Sequence, residues 1–124
     1  MALTSVVFYR EPEGEVPVLD WLAKLRKKDQ QAYVRCVAAV ERLAAAGHEL
    51  RRPLADFLRD GIYELRVRKG RVNYRILYFF HGSGLAVLGH AITKEDAVPD
   101  IDIERCLCRK RAFESDPEGH SYSE

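Results

Sequence analysis

Residues Asp60–Phe80 read DGIYELRVRKGRVNYRILYFF. Apolar and polar positions alternate through both halves of this stretch, the period of a half-buried β-strand, and Lys69-Gly70 divides it with a tight turn. The spacing predicts strands over Ile62–Arg68 and Val72–Phe80, antiparallel because so short a link permits no crossover. A third run, Leu85–Thr93, follows the turn at His81-Gly82-Ser83-Gly84 and completes a meander. Alternation puts Tyr63, Leu65 and Val67 on one side of the first strand and Glu64, Arg66 and Arg68 on the other. In the second strand, Val72, Tyr74, Ile76, Tyr78 and Phe80 oppose Arg71, Asn73, Arg75, Leu77 and Phe79.

Upstream, Ser5–Arg10 (SVVFYR) is a short β-rich run ending at the turn-like EPEGEVP. A helix is expected over Val16–Leu25, where Val18, Leu22 and Leu25 recur at helical spacing with Trp21 beside them. A longer one is expected over Asp29–Ala46, with Asp29 as N-cap, an apolar stripe of Tyr33, Val37, Val40 and Leu43, and Gly47 closing it. A loop containing Pro53 leads into the meander. Downstream, a last helix starts at Pro99 or Asp100 and runs to about Phe113, turning Ile103 and Leu107 inward. The closing SDPEGHSYSE has no periodicity and is expected to lack regular structure. The sum is an α+β domain over residues 1–114, a small, mostly antiparallel sheet with two N-terminal helices packed on one face and a C-terminal helix, followed by an acidic tail at 115–124.

The formal net charge is only +1, which on its own argues against nucleic-acid binding. It hides an asymmetry: residues 1–94 carry 16 Lys and Arg against 10 Asp and Glu, and residues 95–124 carry 4 against 9. A basic body followed by an acidic tail allows the tail to solubilise the chain or to fold over the basic surface. Three cysteines, Cys36, Cys106 and Cys108, include no CxxC pair and follow no signal-like segment, so a reducing cytoplasmic setting is expected. The longest apolar stretch, around Ile76–Phe80, is far too short to cross a bilayer. Cys106 and Cys108 point to different sides of a helix and are assigned to packing or surface, and neither a metal nor a cofactor is expected.

The polar positions of the hairpin are mostly arginine: Arg66, Arg68, Arg71 and Arg75, with Glu64 the acid among them. A sheet with one wet face commonly carries charge. Guanidinium groups this close nevertheless repel one another unless water or a partner anion separates them, and Arg is suited to phosphate because its planar fork gives two hydrogen bonds and stays protonated. His90 and Lys94 share one face of the third strand and border the same surface. A lone strand histidine is commonly structural, but its unperturbed pKa near 6.5 also permits proton transfer.

The segments RPLADFLRDGIYELR, YRILYF and GHAITK, with the Pro-led last helix, resemble in order and spacing the RelE/HigB-like toxins of bacterial type II toxin–antitoxin systems, closest to the phage Gp49-like branch. The resemblance covers about three quarters of the chain. It implies a RelE-like fold, a ribosome-dependent endoribonuclease (mRNA interferase) that cuts messenger RNA without metal, and neutralisation by a helix-turn-helix antitoxin. Carried onto this sequence, it gives Arg66, Arg75, Lys94 and His90 as catalytic candidates. Arg68 and Arg71 serve as RNA-backbone binders, joined by Lys69, Lys27 and Lys28. The chain departs from the pattern after Lys94, where Glu95-Asp96 follow instead of further basic or hydroxyl residues. Alternatives of other classes are an attenuated or non-catalytic homologue that only binds its antitoxin, a ParE-like gyrase inhibitor, and a phage structural or accessory protein. The nuclease assignment requires the arginines to form one water-facing cationic cradle, not to be locked singly to carboxylates of their own chain.

Overall fold

In the computed structural model, which describes residues 4–94 and 97–123, two short turns set the register of the sheet. Strands β3 (Ile62–Lys69) and β4 (Val72–His81) pair Lys69 with Val72, leaving Gly70-Arg71 as a two-residue loop. Gly70 there has φ +63°, the position where a tight hairpin turn favours glycine. Before it, β2 (Ala55–Arg59) pairs with β3 through Arg59 and Ile62, and Asp60 and Gly61 turn the corner at φ +52° and +81°. The segment expected as a loop after Pro53 therefore holds a strand.

Strand β5 (Leu85–Lys94) continues the meander, with a register shift opposite Leu77 and Tyr78. Strand β1 (Ser5–Tyr9) joins β5 in parallel, and a two-residue β6 (Ser121–Tyr122) closes the far edge. The order is β2-β3-β4-β5-β1-β6, a mostly antiparallel α+β sheet as expected.

Helix α1 (Pro17–Lys28) starts with proline at its first position, where no N–H is needed. Helix α2 (Gln30–Ala46) is capped by Asp29, whose Oδ1 accepts from the Ala32 N–H at 3.1 Å. Its most buried stripe is Ala32, Cys36, Ala39 and Leu43, one position round from the expected one. Small residues let the helix approach the sheet, while Tyr33 and Val40 pack at its margin. Both helices cover the face carrying Leu65, Val67, Tyr74, Ile76 and Tyr78.

The opposite face is not simply wet. Helix α3 (Asp100–Ser115) lies over one half of it, burying Ile103, Cys106, Leu107 and Phe113 against Ile62, Leu77, Phe79 and Val87. Gly89 permits the crossing: a Cβ there would meet Cys106 Sγ at 2.8 Å and Phe79 Cε1 at 3.3 Å. The final segment, expected to lack structure, runs beside β1. Arg10 Nε and Nη2 donate to the Gly119 carbonyl at 3.3 and 3.2 Å, and the His120 ring stacks on Tyr9 at 5.2 Å. Periodicity missed it because the contact is made by a turn and two strand residues. Among the described residues no helix is long and apolar enough to cross a membrane.

Candidate functional site

The half of the second face that α3 leaves uncovered holds the arginines. Register, which alternation alone does not supply, decides their arrangement. Arg66 stands directly opposite Arg75 and Asp56 directly opposite Glu64, so like charges face each other across strands, an unfavourable placement by itself. Compensation is diagonal. Glu64 Oε1 accepts from Arg75 Nη1 at 2.6 Å, and its Oε2 lies 3.4 Å from Arg66 Nε. Arg66 Nη2 in turn lies 3.7 Å from Asp56, which also holds Arg52 at 3.0 Å. The result is a ladder Arg52, Asp56, Arg66, Glu64, Arg75, with three cations on two anions. Arg52 beside Asp56 holds that carboxyl below its usual range.

This corrects the expectation of freely solvated guanidiniums. Arg75 is 7% exposed and Glu64 2%. Burying a charge pair is tolerable only when the partners satisfy each other, and here one atom is left over: among the described residues Arg75 Nε has no hydrogen-bond partner. Arg66 keeps 40% of its side chain in solvent. Arg68, on the same face, is exposed and folds its Nε onto the Gly70 carbonyl at 2.9 Å. Arg71, at the hairpin tip, is exposed with no partner among the described residues.

The remaining candidates are distributed elsewhere. Lys69 projects to the α1/α2 side, where its Nζ donates to Asp29 Oδ2 at 2.6 Å and lowers that carboxyl's pKa. Lys27 and Lys28 are exposed at the end of α1, at the corner that Asp29 ties to the hairpin tip. These three lysines rim the tip and are not brought onto the ladder face. Lys94 is the last residue of β5, opposite Asn73. Its side chain, with Glu95 and Asp96, lies outside the described residues.

His90 shares the ladder face, diagonal to Arg75 across β4 and β5, yet it sits beneath α3. Arg109 Nη1 donates to its Nδ1 at 3.1 Å, so Nε2 carries the hydrogen that goes to Asp102 Oδ1 at 2.7 Å. Burial lowers its pKa, with Arg109 adding to the effect and the Asp102 bond opposing it. Both ring nitrogens are thus committed, and the neutral imidazole ties α3 to β5. Strand alternation alone does not single out Glu64 as the ladder's centre, nor Asp56, Asp102 and Arg109. The first was within reach, since Glu64 shares strand parity with Arg66.

A family model described as phage derived protein Gp49-like (DUF891) matches residues 20–111, about three quarters of the chain. The match spans α1 to α3 and includes the whole ladder. No curated protein matches the chain.

Proposed function

The chain belongs to the phage derived Gp49-like family, which is associated with toxin–antitoxin systems, and on that premise we propose that it is a RelE/HigB-like type II toxin that cleaves messenger RNA on the ribosome. The observation that carries this reading is that the arginines share acids and are not each locked to one: Arg66 divides itself between Glu64 and Asp56 and keeps 40% of its side chain in solvent, Arg68 and Arg71 are exposed with no carboxylate partner among the described residues, and Arg75, buried against Glu64 at 2.6 Å, is the one that departs from the water-facing cradle. Such an array has surplus positive charge fixed in place before any substrate arrives, which is what a phosphate in transition demands.

In the reaction the ribose 2′-oxygen bonds to the adjacent phosphorus, the bond from phosphorus to the 5′-oxygen breaks, and a 2′,3′-cyclic phosphate and a 5′-hydroxyl result. The 2′-hydroxyl gives up a proton and the departing 5′-oxygen takes one. Arg66 meets the non-bridging oxygens and Arg75 adds its field from below. Arg68 and Arg71 hold neighbouring phosphates, and Lys94, at the end of β5 opposite Asn73, is the proton-transfer candidate, since both ring nitrogens of His90 are engaged. Losing one well-placed donor of this kind typically reduces the rate by about 10² to 10³-fold. DNA lacks the attacking hydroxyl and is not cut. A helix-turn-helix antitoxin is the neutralising partner.

A second reading draws on His90, whose two nitrogens are occupied: a toxin homologue that binds its antitoxin without cutting RNA, or acts on gyrase. A translation reaction programmed with a defined message separates these readings. Discrete cuts at codon borders, lost in Arg66→Ala, support the nuclease; intact message rules it out, and a parallel supercoiling assay then detects a gyrase poison.

A further inference from the structure

A second aromatic and cationic feature lies just around the sheet's edge from the ladder. Between the single turn of 3-10 helix at Gly47–Glu49 and β2 there is a cleft of about 490 Å3 whose walls include His48, Arg51, Arg52, Phe57 and Tyr63. Phe57 is 54% exposed, in β2 at the point where its register against β3 shifts. It meets Tyr63 edge to face at 5.2 Å, and Tyr63 continues into Tyr78 and Phe80. The His48 ring lies flat on Phe80 at 3.6 Å. The aromatic row of the core thus runs out into solvent at Phe57, with its ring oriented by the rings behind it.

Charge indicates what this platform accepts. Arg51 and Arg52 are exposed at its rim, Arg51 resting on the His48 carbonyl at 2.6 Å. The one acid lining the cleft, Asp56, is engaged by Arg52 and by Arg66. Flat apolar faces beside Arg51, which has no carboxylate partner among the described residues, and Arg52, which shares Asp56 with Arg66, match the alternation of base and phosphate in a single strand, whose bases have free faces to stack. Position adds continuity. Asp56 joins Arg52 at the cleft to Arg66 on the ladder, and β2 is the edge strand. With strands about 5 Å apart, a chain crossing that edge reaches the ladder within one or two nucleotides.

We propose that Phe57, flanked by Arg51 and Arg52, is a stacking subsite for an unpaired base of the RNA whose phosphate is held at the ladder. This rests on the reading of the protein as an RNA-directed toxin, and the test separates the two. In the full chain, Phe57→Trp supplies a fluorescent reporter at the subsite, titrated with a short oligouridylate and with an abasic ribose-phosphate oligomer of the same length. The oligouridylate quenches the new tryptophan and the abasic oligomer does not. Phe57→Ala binds oligouridylate roughly tenfold more weakly than the parent, at an unchanged unfolding midpoint, and Phe57→Leu, which preserves apolar bulk, shows the same loss. Equal affinity of the parent and both variants overturns the subsite while leaving RNA recognition in place. Absence of oligouridylate binding by the parent overturns the RNA reading and the subsite together. If Phe57→Ala binds oligouridylate normally but no longer co-purifies with the antitoxin, the cleft is a protein-docking face and the proposal is overturned.

Discussion

Glu64 shows how much one side chain decides here. Each of its oxygens serves a different arginine, and at 2% exposure it has no water to fall back on. Removing one partner of a buried pair strands the other charge and typically costs about 3 to 5 kcal/mol. Glu64→Ala is therefore expected to be destabilised by about 3 kcal/mol in urea unfolding, with Glu64→Gln less affected because it still accepts from Arg75. Equal stability of Glu64→Ala and the parent would mean that the pair is not buried in solution. The same logic revises the simplest expectation for Arg75→Ala, which on sequence alone should leave the fold intact. It leaves Glu64 with only the longer contact to Arg66, so loss of growth arrest in that variant has to be read beside its unfolding midpoint. His90 carries a pH signature of its own. Its folded-state pKa lies below the unfolded value near 6.5, so the unfolded chain takes up the proton first. Its stabilising contribution is complete above that value and is lost as pH falls through it toward the folded pKa. His90→Gln should flatten the dependence of the urea midpoint between about pH 7.5 and 5.5. Asp29 and Asp56, whose pKa values are lowered, act below the usual carboxylate range and do not confuse that window.

Elements were legible wherever local chemistry and hydrophobic period agreed. Asp29 and Gly47 bracket α2 as cap residues should, and the β3 and β4 bounds follow from alternation around Gly70. Strand β2 was missed although Asp60-Gly61 is a hairpin turn signal, because Pro53 and the charged run Arg51-Arg52 suggested a loop. Alternation placed Arg66, Arg68 and Arg75 on one face, but parity carries no register, and register is what sets Glu64 between two of them. Nor did it foretell that α3 would share that face, since the crossing depends on the missing Cβ of Gly89. Gly89→Ala tests that contact directly. The added methyl would meet Cys106 Sγ at 2.8 Å, and overpacking of this kind costs about 1 to 3 kcal/mol. The unfolding midpoint should fall, and because the Cys106 thiol is pushed up to about 12 by burial, thiol labelling of Cys106 should accelerate in the variant. Unchanged stability together with unchanged labelling would show that α3 does not rest on Gly89.

Across the whole molecule, strand order separates the terminal segment 116–124 from the ladder arginines, whereas Asp100 and Glu104 at the start of α3 pair with Arg59 at 2.8 Å each. Residues 95–124 hold the excess of acids, and folding over the basic surface was one of two roles open to them. The sheet order places β6 four strands from β3, about 19 Å at the usual spacing, so the terminal segment cannot lie on the ladder while it is docked on β1. What it does there is cover Tyr9, 2% exposed beneath the stacked His120 ring, and satisfy the backbone of Arg10, whose carbonyl meets the His120 ring Nδ1 at 2.8 Å and whose N–H donates to the His120 carbonyl at 2.8 Å. Phe8 and Tyr122 add an edge-to-face contact at 6.5 Å. Removing residues 116–124 should therefore lower stability by about 1 to 2 kcal/mol, a fall of roughly 3 to 8 °C in the thermal midpoint. Growth arrest per molecule of folded protein should be unchanged. A tail that shields the arginines predicts the opposite pattern: activity rises on truncation and the rise fades with added salt, since screening weakens exposed charge contacts. Measuring both quantities on one truncated chain decides between a structural edge and an electrostatic brake, because the fold allows the segment to be the first without being the second.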